Sequence, residues 1–298
     1  MTERFPVQAN SPLFQDLDNV HVVFHGINKS GSLAMADVLR EGLIAAGRAQ
    51  DAVSHYHMPG VLPLDEYKAL IESRSGRFLA VAHYLYGFLP PAPRRIWVTQ
   101  FRHPLPRIVS TYIWQKKKHI KRHKSADGFP RLSDYVRDSH GVRHSQVIQL
   151  GIGYGRFKSS AEKRKLPPKV LFELSVEAIE REFSAIGIAE NFEESIFCFA
   201  ALLGIPSVVP WVTDRRNIER RPVDELSQNQ RDLIRDVYQW DFELYDWALG
   251  KFAEQMSRID FGPALEAYKA ACADQYKDRL LGTSADDGVN RWMKTGQD

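Results

Sequence analysis

Apolar residues recur along this chain in two rhythms, and their alternation predicts the architecture. Short, mostly β-branched or aromatic runs at 20–24, 78–82 and 96–101 read as strands buried on both faces. After the first, Met35, Val38, Leu39 and Leu43 recur at helical spacing. After the last, Ile108, Val109, Tyr112 and Ile113 do the same behind Pro104, a residue suited to the first turn of a helix. Residues 178–186, 190–203, 227–250 and 261–281 read as helices, the third long and amphipathic, and 282–298 reads as loosely ordered. Strands alternating with helices predict an α/β fold, a parallel sheet flanked by helices on both faces, with a helical C-terminal part. With 298 residues and 44% hydrophobic content the chain fits a single domain, its core at 20–250 and a helical extension at 251–298.

Two strand-to-helix junctions carry the candidate chemistry. Residues 26–32, Gly-Ile-Asn-Lys-Ser-Gly-Ser, join the first strand to a helix N-terminus, where unpaired N–H groups and the helix dipole favour an anion. Gly31 with Ser30 and Ser32 permits close approach of an oxyanion, and Lys29 adds a mobile positive charge. A Walker-type loop needs its lysine at the end of a longer glycine-framed loop; here Lys29 precedes Gly31, too close to Gly26. The third run ends on Arg102, and Ser110 falls about two turns into the following helix. Arg102 offers a planar fork to a phosphate and Ser110 a hydroxyl. Each residue also has a plainer reading, with Lys29 in water and Arg102 in an internal salt bridge.

Together the junctions resemble those of a known family. Lys29-Ser30-Gly31-Ser32-Leu33-Ala34 is similar to the 5′-phosphosulfate loop of sulfotransferases that use 3′-phosphoadenosine 5′-phosphosulfate (PAPS). Residues 101–112, Phe-Arg-His-Pro-Leu-Pro-Arg-Ile-Val-Ser-Thr-Tyr, are similar to their 3′-phosphate motif, nearest to the glycan branch with the heparan sulfate 2-O-sulfotransferases. The likeness extends through 144–151, 187–195 and 217–248. It implies a P-loop NTPase-like sheet with PAPS as co-substrate, held at its 5′ end by Asn28, Lys29, Ser30, Gly31, Ser32 and Leu33. It further implies that Arg102 and Ser110 hold the 3′-phosphate and that Arg215 and Arg216, in a late basic segment, close over the nucleotide. Leu33 and Ala34 stand where the family usually has hydroxyl residues, so the 5′ cradle relies on backbone.

Sulfuryl transfer to a hydroxyl needs a base for the acceptor proton and a charge to stabilise the departing phosphate. His83, directly after the strand at 78–82, resembles the catalytic histidine of the 2-O branch, and an imidazole is a side chain suited to taking a proton near neutral pH. Lys29 is the expected stabiliser of the leaving group. His25 and His103 are rival bases that lie inside the phosphate motifs, with His55 and His57 behind them. The ten histidines and two cysteines show no metal-ligand spacing, so no metal is expected.

Cys198 and Cys272 are too few for a disulfide framework, and Cys198 lies in an apolar run that favours a buried thiol. Residues 1–18 lack an apolar stretch of signal-peptide length and no stretch is long enough to span a bilayer, which reads as a cytoplasmic protein. The net charge of +3 is unevenly placed, with basic runs at 115–124 and 156–169 that either stay solvated or attract a polyanion. The expected partner is a hydroxyl-bearing acceptor, a carbohydrate or polyanionic glycan. Two alternatives stay open: a P-loop-type kinase, and a non-catalytic polyanion or nucleic-acid binder, although no nucleic-acid recognition motif is present.

Overall fold

The computed structural model describes residues 3–7, 11, 20–54, 63–82, 89, 92–138, 145–151, 166–210, 223 and 225–282. After β1 (Phe5–Pro6), β2 (His21–His25) buries Val22, Val23 and Phe24 completely. It hands over to α1 (Ser32–Ala45), which turns Met35, Val38, Leu39 and Leu43 inward as their spacing predicts. A short β3 (Ala52–Ser54) and α2 (Leu64–Glu72) lead to β4 (Phe78–Ala82) and β5 (Arg95–Phe101). Then α3 (Pro104–His123) starts on a proline whose missing N–H costs nothing in a first turn. The basic run therefore lies on the last turns of α3, with Lys117, Lys118, Lys121, Arg122 and Lys124 exposed.

Two short helices, α4 (Leu132–Arg137) and α5 (Gln146–Leu150), precede α6 (Pro168–Glu182) and β6 (Phe183–Ile188). The described chain closes with α7 (Phe192–Leu202), β7 (Ser207–Val208), α8 (Gln228–Val237), α9 (Gln239–Ser257) and α10 (Pro263–Gly282).

The main sheet has five strands in the order β3-β4-β2-β5-β6, all parallel, while β1 and β7 form a separate antiparallel pair. Alternation along the strands feeds both faces of the sheet. Val22, Phe24, Leu79 and Val98 meet α1, α7 and α10 on one face. Val23, Phe78 and Trp97 meet Tyr67 and Ile71 of α2 on the other. On that second face Phe101, Ile186 and Ile188 pack with α5, α6 and α9. Burial on both sides is why the strands read as continuous apolar runs rather than alternating ones. A smaller cluster, built on Ile108, Tyr135, Val136, Ile234 and Tyr238, joins α3, α4 and α8.

Two helix expectations are corrected. Residues 178–186 are not one helix: α6 ends at Glu182 and β6 pairs with β5, Phe101 opposite Ile188. Ala178 and Ile179 belong to a helix face, but Ala185, Ile186 and Ile188 fit either period, and pairing decides such short runs. Residues 227–250 are two helices broken at Tyr238, whose φ of −110° and ψ of 25° leave the helical basin. Ile234 and Leu244 serve different apolar clusters, so one straight stripe could not satisfy both. Cys198 and Cys272 are buried and in no disulfide, and desolvation pushes Cys198 up to about 12. No described helix is long and apolar enough to cross a membrane.

Candidate functional site

The strand order directs attention to one place. The chain leaving β2 goes to β3 on one side of the sheet, and the chain leaving β5 reaches β6 on the other. Parallel sheets open a crevice at the carboxyl ends of such a strand pair, and both strand-to-helix junctions lie there.

The first loop folds around the carbonyl of Ile27. It accepts the Ser30 N–H at 3.3 Å, the Ser30 hydroxyl at 2.8 Å and the Ser32 hydroxyl at 3.2 Å. Both hydroxyls thus turn inward, and what remains for a ligand is backbone. Lys29 and Gly31 hold left-handed φ values of 66° and 85°. For lysine that conformation is costly, and such outliers cluster at binding sites. Gly31 caps α1 with no side-chain hydrogen bond, so the first-turn N–H groups have no side-chain cap. A Cβ on Gly31 would stand 3.1 Å from Nε2 of Gln100, the group that donates to the Ser30 carbonyl at 2.8 Å.

The second loop is tied to the first. Arg102 Nη1 donates to the carbonyl of Lys29 at 3.1 Å, which seats the guanidinium against the opposite junction. Its backbone N–H donates to Oε1 of Gln146 at 3.2 Å, while Asn28 N–H donates to Oε1 of Gln149 at 2.9 Å. His103 caps α3, Nδ1 accepting the Leu105 N–H at 3.3 Å, and its own N–H donates to Glu190 at 3.1 Å. Tyr245 donates its hydroxyl to the other oxygen of Glu190 at 2.8 Å and stacks edge-on against His103. Burial lowers the His103 pKa, with Glu190 and Asp246 pulling upward.

Behind the loops, Arg107 of α3 and Asp241 of α9 form an ion pair at 2.6 Å, each side chain 1% exposed. Asp241 also accepts the N–H groups of Gln146 at 3.0 Å and Val147 at 3.1 Å, so one carboxylate caps α5 and fastens it to α3. Burial pushes the Asp241 carboxyl upward, and the guanidinium and the two N–H donors oppose it. Ser110, on the same helix as Arg107, is 3% exposed, and its hydroxyl has no hydrogen-bond partner among the described residues.

The structure therefore brings together Asn28, Lys29, Ser30, Gly31, Ser32 and Leu33 with Arg102, and places Ser110 on the helix that Arg102 precedes. His83, Arg215 and Arg216 lie outside the described residues, as do His55 and His57. Among the rival bases, His25 is fully buried at the end of β2, where its carbonyl accepts the Thr99 hydroxyl at 2.8 Å, and His103 is engaged as a cap. Sequence reasoning assigned no role to Gln100, Arg107, Gln146, Gln149, Glu190, Asp241 or Tyr245. Glutamines give no charge or spacing signal, and Arg107 and Asp241 are far apart along the chain, so only folding pairs them.

No group of three or more His, Cys, Asp or Glu able to hold a metal occurs among the described residues. A pocket lined by Arg48, Asp51, Ser75 and Arg77 lies at the opposite end of the sheet, where Arg77 leads into β4. There Arg48 is engaged by Asp51 and by the carbonyls of Leu203 and Arg77. No protein-family model matches this chain, and no curated protein matches it significantly.

Proposed function

We propose that this chain is a PAPS-dependent sulfotransferase with a P-loop-like core, moving a sulfuryl group to a hydroxyl of a carbohydrate acceptor. The observation that carries the reading is the hydrogen bond from the Arg102 guanidinium to the Lys29 carbonyl, which draws two phosphate-type junctions into one crevice. Three further features suit a doubly phosphorylated nucleotide. These are the N-terminus of α1 without a side-chain cap, two half-buried cations at the junctions, and a buried serine hydroxyl left for an acceptor such as a 3′-phosphate oxygen.

PAPS supplies an activated sulfuryl group joined to its 5′-phosphate. The amides of Gly31 and Ser32 hold the 5′ end, the Ser30 N–H being spent on the Ile27 carbonyl, and Arg102 with Ser110 holds the 3′-phosphate. His83 removes the acceptor proton as the acceptor oxygen bonds to sulfur. Lys29 offsets, with its positive charge, the negative charge that grows on the bridging oxygen as the old sulfur–oxygen bond breaks. The products are the sulfate ester and adenosine 3′,5′-bisphosphate, with the acceptor proton left on His83. β4 ends at Ala82, opposite His25 of β2, so the strand preceding His83 borders the same sheet edge.

Calorimetry with adenosine 3′,5′-bisphosphate tests the binding half, with saturable binding expected in the absence of magnesium. Magnesium-dependent turnover of ATP, or binding of heparin with no response to the bisphosphate, would overturn the reading in favour of a kinase or a polyanion binder. His83→Ala is expected to abolish transfer while bisphosphate binding survives; loss of both would assign His83 a structural role.

A further inference from the structure

Sheet pairing does not by itself fix how far apart the two loops stand. The last β2 residue in register with β5 is His25, opposite Thr99, and β5 continues through Phe101 before Arg102. Beyond that point two direct side-chain bonds cross between the strands' ends, from Arg102 to the Lys29 carbonyl and from Gln100 to the Ser30 carbonyl. Helix α5 adds a tie to the backbone N–H of each loop. Gln146 and Gln149 are three residues apart on it, on neighbouring faces and about 4.5 Å apart along the axis. Gln146 accepts the Arg102 N–H and Gln149 accepts the Asn28 N–H, one loop each.

The helix that carries them is itself immobilised. Ser145 caps it through the Ile148 N–H at 3.1 Å, Asp241 takes the N–H groups of Gln146 and Val147, and Ser175 of α6 donates to the Val147 carbonyl at 3.1 Å. Gln149 also donates back to the Ser145 carbonyl at 3.2 Å, which fixes its amide orientation. Both glutamines are nearly inaccessible to solvent, at 0% and 5%. Their role is played through backbone, so they are positioning residues.

We infer that α5 is a spacer: Gln146 and Gln149 hold the two anion-binding loops at a set separation and thereby favour a ligand with two anionic groups over one with a single phosphate. The ligand's identity rests on the proposed function, whereas the spacer does not. Preorganised loops spend no binding energy on ordering, and that advantage is largest when both are occupied at once.

Amide hydrogen exchange at Asn28 and Arg102, followed by NMR, tests the spacer directly. Gln149→Met is expected to speed exchange at Asn28, and Gln146→Met at Arg102, by about tenfold or more. Gln149→Glu keeps an acceptor oxygen and is expected to keep Asn28 protected. In calorimetry, each methionine variant is expected to narrow the preference for adenosine 3′,5′-bisphosphate over adenosine 5′-phosphate by about tenfold. Unchanged exchange in the methionine variants overturns the spacer. An equal loss of affinity for both nucleotides would leave only a structural role and overturns the selectivity. A wild-type protein that binds neither nucleotide overturns the proposed function and the selectivity with it, while the exchange result still decides whether α5 holds the loops.

Discussion

Ser110 has a buried hydroxyl with no hydrogen bond among the described residues, an arrangement that costs the free protein and that, under the proposed function, is relieved when the nucleotide binds. Replacing it separates the two states. Ser110→Ala is expected to leave the thermal midpoint unchanged or slightly raised, while affinity for adenosine 3′,5′-bisphosphate falls about tenfold, the worth of about one good hydrogen bond. Calorimetry beside a melting curve checks this, and a lowered midpoint with unchanged affinity would show the hydroxyl to be structural. Lys29 makes the same point through backbone. A lysine held at φ 66° stores strain of about 1 kcal/mol, and it persists because Arg102 and the Ile27 turn hold the loop on either side.

At the scale of elements, α3 links chemistry to stability. Its first turn is capped by the imidazole of His103, which accepts the Leu105 N–H only while Nδ1 is unprotonated. Burial holds the folded pKa below the ordinary 6.5, so the native state favours the neutral ring more than the unfolded chain does. The contribution is therefore complete above that value and is lost as pH falls through the depressed one. Denaturant titrations between pH 7 and pH 5 are expected to show stability falling on acidification, with a shallower fall in His103→Asn, whose amide oxygen accepts at any pH. Equal slopes for the two proteins would remove His103 from the account. The Arg107–Asp241 pair works between elements, since one carboxylate caps α5 while paired with α3 and so ties the two helices together. That coupling is invisible to periodicity, because neither residue has a sequence neighbour that announces its partner.

For the whole molecule, the C-terminal helix is part of the core rather than an appendage. Tyr268 of α10 is fully buried, sits edge-on to Phe5 at 5.5 Å and to Phe197 at 5.2 Å, and donates to the Val209 carbonyl at 3.2 Å. It thus joins β1, α7 and α10 on one face of the sheet. Tyr268→Ala is expected to cost about 3–5 kcal/mol, read as a lower denaturant midpoint with an unchanged slope. A change within about 0.5 kcal/mol would mean that α10 packs without consequence. By itself, the sequence determined the strands at β2, β4 and β5, the helices that follow β2 and β5, and the two basic junctions with their small residues. Each of these is a local matter: short runs buried on both faces, apolar spacing of one helical face, and glycine where the backbone must turn. Only the tertiary structure decided that residues 183–188 form a strand, that the helix at 227–250 breaks at Tyr238, and that Lys29 and Arg102 meet. Those outcomes depend on pairing across the sheet and on buried contacts between residues far apart in the chain, energies that no local window of sequence contains.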